Sequence, residues 1–510
     1  MTRPVASDDG HDYVIVGGGT SGITLGYLLH KYCKDVVVLE AGEDKDDDPN
    51  IHDLKSFHGL ESHYRNEYFW PENGRPNPLL PADGNHYSGG RLWGGSSSIN
   101  EAWYWRGAQF LYDRWGGLFA DEEFCTDVFR KLETFHGTSQ APGTRGERGP
   151  FDVTQGPAYP IGEKFIAALH RVLKDDYGLD VPVVDDMHAV NGPALSVRAQ
   201  HFVDPGDKKR VSTSVSLVKK RRSTLAIKSQ ATALKVLFEG RKAAGVRYLQ
   251  NGETKTLRAK KKVIVCAGLR SAFLLMHSGI GDESLARLGI PMIHANPEVG
   301  RHLANHLLVA TKMKVPPADN RDIAQALHFK GLTAVSAFPD PQRGDLSDID
   351  FELTMLSPAP GDAVVACFFV NPESRGHVSI CSSDPLHPVV VETNYLSAPM
   401  DTARLERALE IVEKVTDRLA ATHDGYRRVS DLSDKKSYIR NNAAHVHHWT
   451  GTCAIGKVLD EHLDVLGVEN LMVADTSSIP EIVRGHTYAP ALLIAAAAFV
   501  ELTRITQWDF

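Results

Sequence analysis

The hydrophobic pattern changes period within the first forty residues. Tyr13-Val14-Ile15-Val16 is an unbroken apolar run, the mark of a strand covered on both faces. It ends in Gly17-Gly18-Gly19-Thr20-Ser21-Gly22, after which Ile23, Leu25, Leu28 and Leu29 recur at helical spacing. A second apolar run, 36–39, stops at Glu40. Strand, glycine turn, helix and strand are therefore predicted in that order. In the middle of the chain, 225–227, 233–238, 245–249 and 254–258 read as short strands joined by Glu239-Gly240 and Asn251-Gly252 turns. KKKVIVCAG follows as a buried strand that ends at Gly268. Later runs at 363–370, 377–381 and 389–393 suggest an antiparallel sheet, with the amphipathic stretch 401–419 as a helix over its outer side. The alanine-rich run 489–500 predicts a buried helix with Pro490 in its first turn.

Three glycines in six residues have a physical use at such a turn. Gly17 makes the tight turn, Gly19 lets the backbone approach a pyrophosphate, and Gly22 lets helix and strand pack closely. The helix start, with Thr20 and Ser21, offers free N–H groups and partial positive charge to phosphates. Glu40, 23 residues after Gly17, is placed to accept hydrogen bonds from the adenosine ribose. This fingerprint suits NAD and FAD alike. A β-meander returning to the nucleotide sheet, and the lack of a second GxGxxG, favour FAD.

Residues 89–107, GGRLWGGSSSINEAWYWRG, resemble the loop over the flavin in the glucose-methanol-choline (GMC) oxidoreductases. YDRWGGL, HSGIG, VGRHLANH, SRGHV, NYL, HHWTGTC, LMVADTSSIP and GHTYAPALLIAAAA resemble the same family in the same order, from Asp12 to about Arg504. The resemblance implies an α/β (α+β) fold. It joins a Rossmann-like FAD-binding domain of the glutathione-reductase type, with its β-meander, to a substrate domain with an antiparallel sheet and helices. The FAD domain is expected at 11–150, 195–306 and 441–510, and the substrate domain at 151–194 and 307–440. Carried over by position, Arg91, Gly94, Ser96, Asn100, Ala233, Asp475, Thr476, Thr487 and Tyr488 are expected at the cofactor. Ile99 stands in the part of the loop where covalently attached members carry histidine, so FAD is expected to be noncovalent. Two positions depart from the family. Glu101 replaces a small residue, pointing outward or toward the isoalloxazine, and Ala272 replaces a proline, where a local backbone difference is expected.

Oxidising an alcohol by hydride transfer needs a base for the hydroxyl proton and a donor for the developing alkoxide. Histidine suits both tasks near neutral pH. By position, His448 is expected to be the base and His486 the alkoxide partner, with the roles open to sharing or exchange. The cluster His445, His447, His448 also permits a metal reading, but no Asp or Glu lies close in sequence, and no metal is expected. Trp103, Tyr104 and Trp449 neighbour these positions and are candidates for the substrate pocket, which would then suit an aromatic or unsaturated alcohol.

Composition narrows the setting. Hydrophobic residues make up 42% and charged residues 24% of the chain, as in globular proteins. A net charge of -8 argues against nucleic acid as the partner, and the basic runs 219–222 and 260–262 read as solvated faces. No secretory signal, glycosylation sequon or apolar run long enough for a bilayer is present, and six scattered cysteines suit reduced thiols. The expectation is a cytoplasmic enzyme without membrane contact. Its partners would be a small-molecule alcohol, expected to be primary, and oxygen or another electron acceptor. A hydroxynitrile-lyase-like activity and a specialised-metabolite oxidase or cyclase are the alternatives that the same resemblance carries.

Overall fold

The computed structural model describes residues 8–53, 65–70, 73–75, 77–79, 89–326 and 331–510. Its first sheet forms around the apolar runs near the start of the chain. Asp8–Val16 lies between Val36–Leu39 and Glu253–Val265, parallel to both. Ala226–Lys228 and Leu471–Val473 add further parallel strands. Val14, Ile15, Val37, Val38, Val263 and Ile264 are completely buried, as strands covered on both faces require. The helix Thr20–Lys31 packs against the C-terminal helix Tyr488–Thr503.

The meander differs from expectation in two ways. The runs at 254–258 and 260–265 are one strand, Glu253–Val265. Its first half pairs antiparallel with Lys242–Gln250 and its second half pairs parallel with Asp8–Val16, so one strand joins both parts of the sheet. The run at 225–227 lies outside the meander. As Ala226–Lys228 it takes the parallel edge beside Val36–Leu39, and the hairpins begin at Thr232–Glu239.

The second sheet is antiparallel. Its order is Arg427–Arg428, Leu307–Lys314, Asp362–Phe369, Phe351–Ala359, Leu332–Phe338, Ala194–Ser196, with Ala443–His445 also pairing on Leu307–Lys314. The runs expected at 377–381 and 389–393 do not join it. His377–Ser379 and Val390–Glu392 form a small separate sheet with Asn73–Gly74. Gly376 exchanges backbone hydrogen bonds with Leu303, which turns this hairpin toward the loop before His306.

Strand alternation divides the second sheet between two surroundings. Phe351, Leu353 and Met355 join the main core, where the helices Pro160–Tyr177 and Pro399–Thr422 pack together. The intervening Glu352 shares the other face with Phe368, across the ladder from it. There Phe368, Val335 and Ala366 cluster with Trp103 and Trp105. A wholly buried carboxylate on that face needs a polar partner.

Ala272 lies in the first turn of the helix Arg270–His277 and is buried there; alanine is the best helix former. Lys219, Lys220, Lys261 and Lys262 pair with Asp44, Asp204, Asp12 and Asp464, which offsets part of the charge of both basic runs. All six cysteines are free thiols. Among the described residues no helix is long and apolar enough to cross a membrane.

His277 is buried against the ring of Phe273, with centroids 4.4 Å apart. Burial, with Arg270 second, pushes its imidazole down to about 4. The unfolded chain therefore takes up this proton at higher pH than the native protein does. Its contribution to stability is intact above about 6.5 and falls as pH drops toward about 4. Between pH 7 and pH 5, wild type should lose roughly 2 kcal/mol that His277→Phe does not lose. Thermal melting of both proteins at the two pH values measures this, and equal losses would contradict it.

Candidate functional site

The glycine turn is built as its residues require. Gly17 has φ +104°, and a side chain there would meet the Cys266 carbonyl. A Cβ on Gly22 would run into the Gly17 carbonyl oxygen. Gly19 leaves space: its nearest neighbour to an added Cβ would be the Gly95 Cα at 3.9 Å. No side chain caps the helix that Thr20 and Ser21 open. The Ser21 hydroxyl instead donates to the Ala491 carbonyl at 2.9 Å, joining the first helix to the last. Glu40 is buried and accepts from Gly18 N–H at 2.7 Å and Gly42 N–H at 2.8 Å. Burial raises its carboxyl to about 7, opposed by those N–H groups and by Arg91. The Arg91 Nε is buried without a hydrogen-bond partner among the described residues. Ala233 lies in Thr232–Glu239, which starts just after Ala231 N–H donates to the Glu40 carbonyl.

The loop 89–100 is fastened onto this turn. Gly94, with φ +82°, donates its N–H to the Gly18 carbonyl at 2.8 Å. Gly95 has φ +53°, and an added Cβ would sit 2.7 Å from the Gly19 Cα, so both glycines are needed for the approach. Ser96 is exposed, its hydroxyl accepting from Gly90 N–H at 3.2 Å. The Asn100 side-chain oxygen accepts from Ala102 N–H at 2.9 Å and from Arg210 at 2.7 Å. Arg210 was not legible as a site residue; it is buried, which lowers it to about 10. Ile99 is buried beside Ile51, Tyr68 and Leu92. Glu101 is half-buried, and its charge favours the protonated form of Arg210.

Two expected cofactor residues have internal duties. Asp475 accepts from Ser477 N–H, Gly268 N–H and the Ser271 hydroxyl at 2.7, 3.0 and 2.6 Å, capping the short helix Thr476–Ser478. Tyr488 donates its hydroxyl to the Val211 carbonyl at 3.0 Å, while Thr487 stands at the helix start.

His448 and His486 meet although 38 residues separate them: Nε2 of His448 lies 3.2 Å from Nδ1 of His486. The contact continues on both sides. His486 Nε2 is 3.2 Å from Oε1 of Glu352, and His448 Nδ1 is 2.9 Å from Nδ1 of His306. Backbone geometry supports the row. Asn305 accepts from His448 N–H at 2.7 Å and His306 N–H at 3.0 Å, and donates to the Tyr395 hydroxyl at 2.5 Å. On the other flank, Arg484 is buried and holds Asp348 at 2.9 and 3.0 Å, tying the segment before His486 to the start of the Glu352 strand. Burial first, then the neighbouring imidazoles, pushes His448 well below its ordinary value, and burial does the same to His306.

Aromatic rings surround His486. Trp103, Phe368 and Trp105 lie 4.7, 5.7 and 6.2 Å from it by ring centroid. Gly485 has φ +145°, and any side chain there would strike the Trp105 indole. A narrow cavity lies here, walled by Trp103, Trp105, Met187, Leu332 and Val335, with His188, Arg198 and Gln200 as polar members. Tyr104 borders it but turns its hydroxyl away, to Glu133 at 2.5 Å and Arg106 at 2.7 Å. Trp449 does not line it; it packs near His445 and His447, whose rings lie edge to face. Among the described residues no cluster could hold a metal ion. Glu352, His306, Asn305, Arg484, Trp105 and Phe368 are absent from the sequence-based set. Only the alternation of Phe351-Glu352-Leu353 hinted at one of them, by placing a carboxylate on a buried strand.

Comparison with known proteins agrees with this architecture. The N-terminal GMC oxidoreductase family model matches residues 11–308, and the C-terminal one matches residues 372–495. A GMC-type oxidoreductase of Mycobacterium tuberculosis is 29% identical, across 96% of this chain and 99% of the relative. The 5-(hydroxymethyl)furfural oxidase of a Methylovorus species is 28% identical across 95% and 97%. Among solved structures, an FAD-dependent oxidoreductase from Chaetomium thermophilum superposes with a TM-score of 0.83 at 20% identity, covering 97% of this chain and 99% of that one. The chain belongs to the GMC oxidoreductase family.

Proposed function

We propose that the protein is an FAD-dependent oxidoreductase that converts a primary alcohol on an aromatic or heteroaromatic ring to the aldehyde. The observation that carries this reading is the contact of His448 with His486, whose ring lines a cavity together with the indoles of Trp103 and Trp105. The Ser21–Ala491 and Gly94–Gly18 hydrogen bonds tie that wall to the glycine turn. The furfural oxidase, whose named substrate carries a hydroxymethyl group on a furan, supports the same class.

The residues present fit FAD. The space beside Gly19, the uncapped helix start and an Arg91 Nε without a partner among the described residues suit a pyrophosphate. Gly17, Gly19, Thr20, Ser21 and Gly22 would hold it through the backbone, and Glu40 the adenosine ribose. Ala233 would meet the adenine, while Arg91, Gly94, Ser96 and Asn100 would line the flavin from the loop. Asp475 and Thr476 would act at the ribityl chain, with Thr487 and Tyr488 at the start of the last helix. Ile99 offers no nucleophile, so attachment is noncovalent. When bound, FAD supplies the hydride acceptor.

The chain's own tasks are those of positioning and proton handling. Trp103, Trp105 and Phe368 hold an aromatic ring and exclude water. His448 and His486 divide between them removal of the hydroxyl proton and retention of the alkoxide. Desolvation keeps His448 neutral at the pH of the reaction, so a nitrogen lone pair remains available to the pair. No observation favours the lyase alternative.

An anaerobic panel of alcohols tests this, read by bleaching of the yellow flavin. An aromatic primary alcohol should reduce wild type, and the double variant His448→Ala/His486→Ala should retain flavin but reduce it roughly 10²- to 10⁴-fold more slowly. Failure of every alcohol to bleach wild type, or an unchanged rate in the double variant, removes the reading. Trp105→Ala should lower the efficiency for aromatic alcohols about fivefold relative to a short aliphatic one, since a ring–ring contact is worth about 1 kcal/mol. Steady-state comparison of the two substrates checks it, and an equal loss for both would exclude Trp105 from ring recognition.

A further inference from the structure

A second pocket, of about 500 Å³ and open to solvent, shares no lining residue with the cavity beside His486. Glu298, Arg301, His302, Arg375, His377 and Asn394 supply its polar lining. Its two walls, 297–302 and 375–377, are fastened to each other. Leu303 and Gly376 exchange backbone hydrogen bonds at 3.0 and 2.8 Å, and the Val378 N–H donates to the Gly300 carbonyl at 2.8 Å. Gly300 has φ +83°, and a side chain there would strike the Val378 carbonyl. Its own N–H donates to the Thr452 carbonyl at 2.8 Å. The separation of the walls is therefore fixed by backbone contacts, independently of what lies between them.

Arg375 is half-buried in one wall, and its charge is unmatched. Its Nη1 donates to the Pro372 and Ser374 carbonyls at 2.6 and 3.1 Å, and among the described residues no carboxylate lies within ion-pair distance of it. Other buried arginines of this region are paired: Arg404 holds Asp350 and Arg484 holds Asp348. The carboxylates that act on Arg375 from farther away are committed elsewhere. Asp401 accepts from the Glu373 and Ser374 N–H groups, Glu481 pairs with Arg114 and Arg484, and Glu373 faces Arg404. Burial, the largest influence, lowers Arg375 below its ordinary value despite those charges. Its guanidinium has lost more hydration than its surroundings return.

We propose that this pocket binds a small molecule bearing a carboxylate or phosphate group, with Arg375 as the anchor of that group. The planar guanidinium offers paired N–H donors that match two oxygens of an oxyanion. The carboxylates around the pocket do not cancel this charge, because each has its own cation. Glu298 is held by His302, Glu392 by Arg75 at 3.0 Å and His377 at 3.4 Å, and Asp282 by Arg301 at 3.6 Å. The Arg301 contact is too long for a hydrogen bond, so this exposed side chain can turn to the ligand without breaking one. A volume of about 500 Å³ exceeds a bare ion and suits a metabolite, its anionic end on Arg375 and its remainder toward solvent. The site is separate from the oxidation of an alcohol and does not depend on that reading.

Titration calorimetry of the FAD-loaded protein tests the site, with inorganic phosphate and succinate as separate probes at constant ionic strength. Bound FAD keeps phosphate out of the glycine turn, and constant ionic strength removes general screening. At least one probe should bind saturably. Arg375→Gln should weaken that binding roughly 10- to 100-fold, the worth of a hydrogen bond to a charged group. Arg301→Gln should weaken it about threefold, as an exposed contact does. Arg171→Gln, an exposed arginine on the helix Pro160–Tyr177, should leave it unchanged. Phosphate alone binding assigns a phosphorylated ligand, succinate alone a carboxylate, and both a general oxyanion site. Neither probe binding, or equal affinity in wild type and Arg375→Gln, would overturn the proposal. Should Arg375→Gln not fold, Arg375→Lys, which keeps the charge but not the fork, and Arg301→Gln decide. A weaker affinity in either supports the site, and wild-type affinity in both would overturn it.

Discussion

Burying a carboxylate and three imidazoles side by side is costly unless each finds a partner, and the site depends on that constraint. Glu352 comes from the middle of the antiparallel sheet, His486 from the approach to the last helix, His448 from the segment after Ala443–His445, and His306 from the start of Leu307–Lys314. None of these elements is adjacent to all the others in sequence. Hydrogen bonds at 2.9 and 3.2 Å join them, so the row both satisfies the buried groups and fixes how the elements meet.

The rest of the scaffold keeps that row in register. Arg484 and Asp348 form a two-pronged buried contact, which fixes the backbone just before His486 against the strand that carries Glu352. Asn305 accepts two backbone N–H groups at once and so holds His306 and His448 at a set spacing. Gly485 leaves room for the Trp105 indole beside His486. At the opposite side, Ser21 and Gly94 bind the glycine turn to the last helix and to the loop 89–100.

Much of this was legible in the chain because it is written locally. The run Tyr13–Val16, the glycines after it and the second run ending at Glu40 specify a strand, a turn and a strand within thirty residues, and the sheet pairs them as the pattern implies. His448 and His486 could be named because a whole-chain resemblance supplied their positions, and they do meet. What escaped was set by long-range pairing. Glu352 looks like an ordinary strand residue until the ladder brings Phe368 beside it and the last helix brings His486. The strand Glu253–Val265 was divided in two because its hydrophobic pattern changes where its partner changes. Tyr104 and Trp449 show how little sequence proximity says about orientation: Tyr104 borders the cavity with its hydroxyl turned to Glu133, while Trp449 packs near His445.

The most direct test is a crystal structure of the FAD-loaded protein with an aromatic carboxylate bound as an unreactive stand-in for the alcohol. The account predicts its ring between Trp103 and Trp105 and one carboxylate oxygen within hydrogen-bond distance of both His448 and His486. A ligand seated elsewhere, or an oxygen that reaches neither imidazole, would contradict it.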